Sequence, residues 1–151
     1  MRASETEVTR TERPSPSLEF GDLTAPRMLL VSGEVEPSQT LSNYFSTAGF
    51  EVFRAESIED ALAILAVHGA AVVLVDLSRS DHDGFDILSA IRHTERWRDL
   101  PVIVLSPDGR NHTTVRALEA GADDCVVGPV HHTELEARVR ALLRRTRRVI
   151  G

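Results

Sequence analysis

Ala71-Val72-Val73-Leu74-Val75-Asp76 (AVVLVD, residues 71–76) is the stretch whose reading decides the fold. Its apolar residues run without a break and stop at a carboxylate. A strand with one wet face would alternate. An unbroken run this short fits a strand buried on both faces, as in a parallel sheet covered by helices. The same pattern recurs along the chain. Met28-Leu29-Leu30-Val31 stops at Ser32-Gly33, Pro101 to Leu105 (PVIVL) stops at Ser106, and Cys125-Val126-Val127 stops at Gly128-Pro129. Glu51 to Arg54 (EVFR) reads as one further strand.

Helical spacing fills the intervals. Leu41, Tyr44 and Phe45 sit at i, i+3, i+4, and Ala48-Gly49 ends that helix at a glycine stop. Ser57 caps the next helix, with Asp60 three residues on. Ala61, Leu62, Ile64 and Leu65 form its apolar face. Phe85, Leu88 and Ile91 line a third helix. Val115, Leu118 and Ala122 line a fourth, closed by Gly121, and Leu135, Val139, Leu142 and Leu143 line a fifth. Strict alternation of buried strands and amphipathic helices predicts an α/β, flavodoxin-like, doubly wound sheet of five parallel strands in the order 2-1-3-4-5, with helices on both faces. Functional groups in such a sheet gather beyond the carboxyl ends of the strands. The residues there are Ser32, Gly33, Glu34, Asp76, Ser106, Gly128 and Pro129.

The composition sets limits on function. With 151 residues, 42% hydrophobic and 26% charged, the chain has the make-up of one ordinary globular domain. The net charge of −6 gives no support to a nucleic-acid-binding domain as a whole. No apolar run is long enough to span a membrane, and the start lacks the apolar stretch of a secretory signal, so a soluble cytosolic protein is expected. One cysteine, Cys125, excludes an internal disulfide and a cysteine-based zinc site. All 17 basic residues are arginine, so no chemistry can draw on a lysine of this chain. Residues 1–26 read as a disordered tail, with Leu18, Phe20 and Leu23 as its only hydrophobic handles.

Val73-Leu74-Val75-Asp76-Leu77 with Asp83-Gly84 downstream, Pro101 to Ser106 (PVIVLS), and Leu118 to Asp124 (LEAGADD) fall in the order and spacing of a known family. Over about residues 27–145 the chain resembles the receiver domains of two-component response regulators, the CheY-like fold. The resemblance implies a receiver domain at 27–146 and a C-terminal tail or linker start at 147–151. It also implies a five-part phosphorylation site. In the family an aspartate ending the third strand accepts a phosphoryl group, two acidic residues after the first strand help hold Mg²⁺, a Ser or Thr bonds the phosphoryl group, and a lysine after the fifth strand pairs with it. Metal and cation are needed because a carboxylate attacks phosphorus poorly unless the growing negative charge is neutralised.

Carried over by position, Asp76 matches the phosphoacceptor and Ser106 the hydroxyl. The acidic pair falls on Ser32 and Gly33, and the lysine on Gly128. Pro129 is retained, and the resemblance implies a cis Gly128–Pro129 bond. Ser80 replaces a frequent proline, Pro107 a small residue, and Cys125 the switch aromatic of the fifth strand. No protein-held metal or cofactor is therefore expected, unless Glu34 swings in beside Asp76 to hold Mg²⁺. The expected function is an atypical receiver, not an enzyme, that signals by protein contact, with Mg²⁺-dependent phosphorylation of Asp76 impaired or absent. The alternative is a working phosphoacceptor at Asp76 that regulates transcription through a separate DNA-binding domain.

The end of the chain, Leu142-Leu143-Arg144-Arg145, resembles receivers of OmpR-like winged-helix regulators. In these the fourth helix, fifth strand and fifth helix form a symmetric dimer face with charge pairs across it. Glu119, Asp123, Asp124, Glu134, Arg138 and Arg140 fit that face, while Thr114 stands where a basic partner for Glu134 would be. The expected partners are a sensor kinase or output protein and a second copy of the chain, with no direct nucleic-acid contact and no membrane. The basic run from Arg138 to Arg148 then reads as a solvated helix face. Neighbouring His131 and His132 point about 100° apart on a helix and so read as surface or helix-entry residues rather than metal ligands. His82 is the one histidine placed to sense pH near Asp76. Cys125 reads as a small buried hydrophobe and Trp97 as a packing residue.

Overall fold

A computed structural model describes residues 25–77, 81–107 and 113–150. The elements run β1 (Arg27–Val31), α1 (Val35–Thr47), β2 (Glu51–Ala55), α2 (Ile58–His68), β3 (Val72–Asp76), α3 (Asp81–Arg92), a 3₁₀ turn (Glu95–Trp97), β4 (Val102–Ser106), α4 (Thr113–Glu119), β5 (Asp124–Val127) and α5 (His132–Ile150). The five strands pair in parallel in the order β2-β1-β3-β4-β5, as the alternating pattern predicts.

The unbroken apolar strands are explained by two cores, one on each side of the sheet. Alternate strand residues point to opposite faces. Leu29, Val31, Phe53, Val73, Val75, Val102 and Val104 meet Ala61 and Leu65 of α2, Ile87, Leu88 and Ile91 of α3, and Ala117 of α4. Their neighbours Met28, Leu30, Val52, Val72, Leu74, Ile103, Leu105 and Val126 meet Leu41 and Phe45 of α1 and Leu135, Val139 and Leu142 of α5. Trp97 packs at the margin of the first core.

Local chemistry fixes the element ends. Asp60 N–H donates to Ser57 Oγ at 3.1 Å, giving α2 its N-cap. Gly121 follows α4 at φ +112°, and its open side lies against the Arg92 side chain. Gly84 packs so closely on Leu77 that a Cβ there would collide with that leucine. This gives the Asp83-Gly84 pair a packing reason.

Two expectations are corrected. On α4 the buried residues are Thr113 and Ala117, whereas Val115 and Leu118 are 55% and 47% exposed. In a helix of 7 residues the i, i+4 pair 113/117 and the i, i+3 pair 115/118 imply opposite faces, and the sheet took the smaller pair. The Gly128–Pro129 peptide is trans, since no cis bond occurs among the described residues. Gly128 instead turns the chain with φ +89°. The last helix runs on to Ile150, across the boundary drawn at residue 146. The tail expected over residues 1–26 lies outside the described residues up to residue 24, as do Ser80 and the side chain of His82.

Candidate functional site

Strand register brings the candidate groups to one end of the sheet. Val31 is level with Val75, Asp76 with Leu105, and Ser106 with Val127. Ser32, Asp76, Ser106 and Gly128 therefore follow one another along the carboxyl edge of β1, β3, β4 and β5. Leu77 N–H donates to Leu105 O at 2.9 Å and Gly128 N–H to Ser106 O at 2.9 Å, so the pairing continues just past the strand ends.

Within this edge Ser32 and Asp76 meet directly. The Ser32 Oγ lies 3.1 Å from Asp76 Oδ2 and 3.3 Å from Glu34 O, and it accepts from Glu34 N–H at 3.1 Å. A hydroxyl has one proton to give. The charged and nearer acceptor is the carboxylate, so the proton goes to Asp76. Ser32 is 4% exposed, which fixes its rotamer. Ser106 is 2% exposed. Glu34 is the N-cap residue of α1, in extended conformation (φ −104°, ψ 119°), and its side chain makes no capping bond. At Gly128 a Cβ would meet nothing within 4 Å, so what opposes a side chain at its root is the backbone conformation, φ +89°.

This donor set does not fit a Mg²⁺ centre of the kind the resemblance implies. Mg²⁺ takes carboxylate oxygens in a demanding octahedral shell. Here a neutral hydroxyl, already hydrogen-bonded to Asp76, occupies one acidic position, and a glycine occupies the other. Among the described residues no group of three or more His, Cys, Asp and Glu side chains stands together.

The charged residues assigned to the interaction face divide into four sets. Arg138 bridges Asp124 at 3.0 Å and Glu134 at 2.9 Å, joining β5 to α5, and these neighbours raise its pKa. Asp123 binds Arg92 at 3.1 Å and caps Val102 N–H at 2.9 Å. Glu119 is exposed on α4. Arg140 turns away from β5 towards α1. It pairs with Glu136 at 2.8 Å, donates to Ala48 O at 2.9 Å and lies over the Phe50 ring. The same side of α5 meets Tyr44 of α1, whose hydroxyl donates to Glu136 Oε1 at 2.6 Å. That bond keeps the Glu136 carboxyl below the usual carboxylate range, with Arg140 assisting, and raises Tyr44 above the usual phenol range, with Arg140 opposing.

Several groups were not legible beforehand. Arg92, 16% exposed, donates to Gly121 O at 2.8 Å, Leu100 O at 2.8 Å and Arg98 O at 3.1 Å besides pairing with Asp123. Its partners lie in two segments apart from its own helix, residues 98–100 and 121–123, which no local spacing reveals. Val127 is 47% exposed and, with Val115 and Leu118, gives the α4–β5 side an apolar surface. Cys125 is half-buried against the first core; burial pushes its thiol pKa up, against a hydrogen bond from Thr114. His132 stacks on Tyr44 at 5.0 Å, and His131 is exposed at the helix entry.

Residues 28–140 match the model of the response regulator receiver domain. The chain belongs to the response regulator receiver family. It is 36% identical over 120 residues to a probable transcriptional regulator ycf27 of Cyanophora paradoxa, covering 80% of this chain and 49% of that protein. It is 32% identical over 124 residues to the DNA-binding dual master transcriptional regulator RpaA of Synechocystis, covering 82% and 52%. The crystal structure of a putative response regulator from Chloroflexus aurantiacus superposes with a TM-score of 0.75 at 26% identity, covering 80% of this chain and 99% of that one. The receiver thus spans about half the length of the curated relatives it matches. No helix among its described residues is long and apolar enough to cross a membrane.

Proposed function

We propose that this chain is the receiver module of a cytosolic two-component transcription regulator, whose sequence-reading DNA-binding domain belongs to the rest of the protein, and that its Asp76 pocket does not run Mg²⁺-assisted phosphorylation at the family's usual rate. The transcription-regulator reading is supported by likeness to regulators about twice as long as this receiver. The pocket reading is carried by one observation, the Ser32 hydroxyl bonded to Asp76 where an acidic metal ligand is implied. Each charge-stabilising group lost from a transferring phosphoryl costs roughly 10²–10³ in rate. The module then signals by contact with a kinase, an output protein or a second copy, through α4, β5 and α5. Incubation with Mg²⁺ and acetyl phosphate followed by intact-mass measurement tests the pocket reading. Little adduct is expected over minutes, and a double Ser32→Asp, Gly33→Asp change should increase it.

A second reading has support of its own. Asp76 and Ser106 stand at the ends of β3 and β4, as a phosphoacceptor and its hydroxyl partner would. A stoichiometric adduct on the unaltered chain, abolished by Asp76→Ala, would select it.

A further inference from the structure

The charge of this chain is unevenly placed. All 23 acidic residues lie at or before Glu136, while six of the 17 arginines follow it. The structure places those six on one continuous helix, α5 (His132–Ile150). The first half of the helix is internally neutralised, because Arg138 is held by Glu134 and Asp124, and Arg140 by Glu136. The second half carries Arg144, Arg145, Arg147 and Arg148 with no acidic residue among them.

At about 100° per residue, these four positions fall within roughly half of the helix circumference, opposite the stripe of Leu135, Val139 and Leu142 that is packed on the core. Arg144 and Arg145 are exposed. Arg144 and Arg148 are one turn apart, about 6 Å along the axis. Positive charge at a helix C-terminus is favoured by the helix dipole, so the cluster does not undermine the helix that displays it.

We propose that this last part of α5 is an arm that docks on the phosphate backbone of duplex DNA. Guanidinium forks match phosphate oxygens in pairs, and a dense polyanion is the partner that answers four arginine positions grouped on one side of a helix segment whose sequence holds no acidic residue. A membrane-surface helix would need its apolar stripe free for lipid, and here Leu135, Val139 and Leu142, the stripe of α5 leading up to the arm, are packed on the core. The remaining, strongly acidic body repels phosphate, so contact is confined to the arm and the body is held facing away. This replaces, for one helix, the expectation of a solvated face without nucleic-acid contact. It does not depend on the state of Asp76.

The test is fluorescence anisotropy of a labelled short DNA duplex titrated with the full chain at salt from about 50 to 200 mM. The arm predicts binding at low salt with a log–log salt slope of about −3 to −4. Each Arg→Ala change at 144, 145, 147 or 148 should flatten that slope by about 1, and the fourfold variant should not bind. Arg96→Ala, on an exposed arginine outside the arm, should bind as the parent does. Circular dichroism confirms that the fourfold variant is folded. Absence of binding at low salt, undiminished binding by the fourfold variant, or capture by phosphatidylserine vesicles but not by DNA would each overturn the proposal.

Discussion

Ser32 converts a position of expected negative charge into a neutral donor. Its hydroxyl serves Asp76 and Glu34 N–H together, so Ser32→Ala removes two bonds from one buried spot. The expected loss is about 1–2 kcal/mol, read as a lower urea midpoint with unchanged slope. Ser32→Asp places two carboxylates side by side and should raise the affinity for Mg²⁺ while lowering stability in its absence. A second residue-scale consequence lies at Glu136. Its folded pKa is lowered, chiefly by the Tyr44 hydroxyl and then by Arg140, so the associated stability is present above the unfolded carboxyl value of about 4.3 and is lost as pH falls through the folded value. Tyr44 is raised, so its share is present below about 10 and is lost as pH rises. Urea midpoints measured from about pH 5 down to pH 3 should fall less steeply for Tyr44→Phe than for the parent. Equal falls would show that the Tyr44–Glu136 bond does not couple folding to protons.

At the scale of elements, α4 separates what could be read in advance from what could not. Its existence followed from spacing, but its buried face did not. A short helix offers competing stripes, and only the sheet beneath decides between them. The central strands were readable because burial on both faces leaves an unmistakable apolar run. The exposure of Val115 and Leu118 predicts that Val115→Ser with Leu118→Ser changes stability by no more than about 0.5 kcal/mol each. Any self-association through α4 and β5, followed by sedimentation equilibrium, should weaken in the same variant. Arg92 is the opposite case. It ties the end of α3 to the segment before β4 and to the turn before β5, and Arg92→Ala takes the donor from two part-buried carbonyls and the cation from Asp123. A loss of about 2–4 kcal/mol is expected in thermal or urea unfolding. The sequence showed Arg92 only as a basic residue in the last turn of a helix, because its acceptors are brought together by the fold alone.

For the whole molecule, the sheet collects its carboxyl-end groups on one edge, and parallel register makes that edge a site whatever residues occupy it. Which positions belong to the edge was readable from strand ends. How they interact was not, because the Ser32–Asp76 bond spans 44 residues of sequence. The backbone at Gly128 was also hidden. A left-handed turn there makes Gly128→Lys strained, so restoring the family's cation by that change alone should lower stability by about 1–2 kcal/mol. The central claim is that Asp76 has lost the electrostatic support that phosphoryl transfer needs. Intact mass of the unaltered chain, taken over minutes with Mg²⁺ and acetyl phosphate, addresses it most directly. The account predicts a spectrum dominated by unmodified protein, whereas complete conversion to a phosphate adduct that Asp76→Ala abolishes would contradict it.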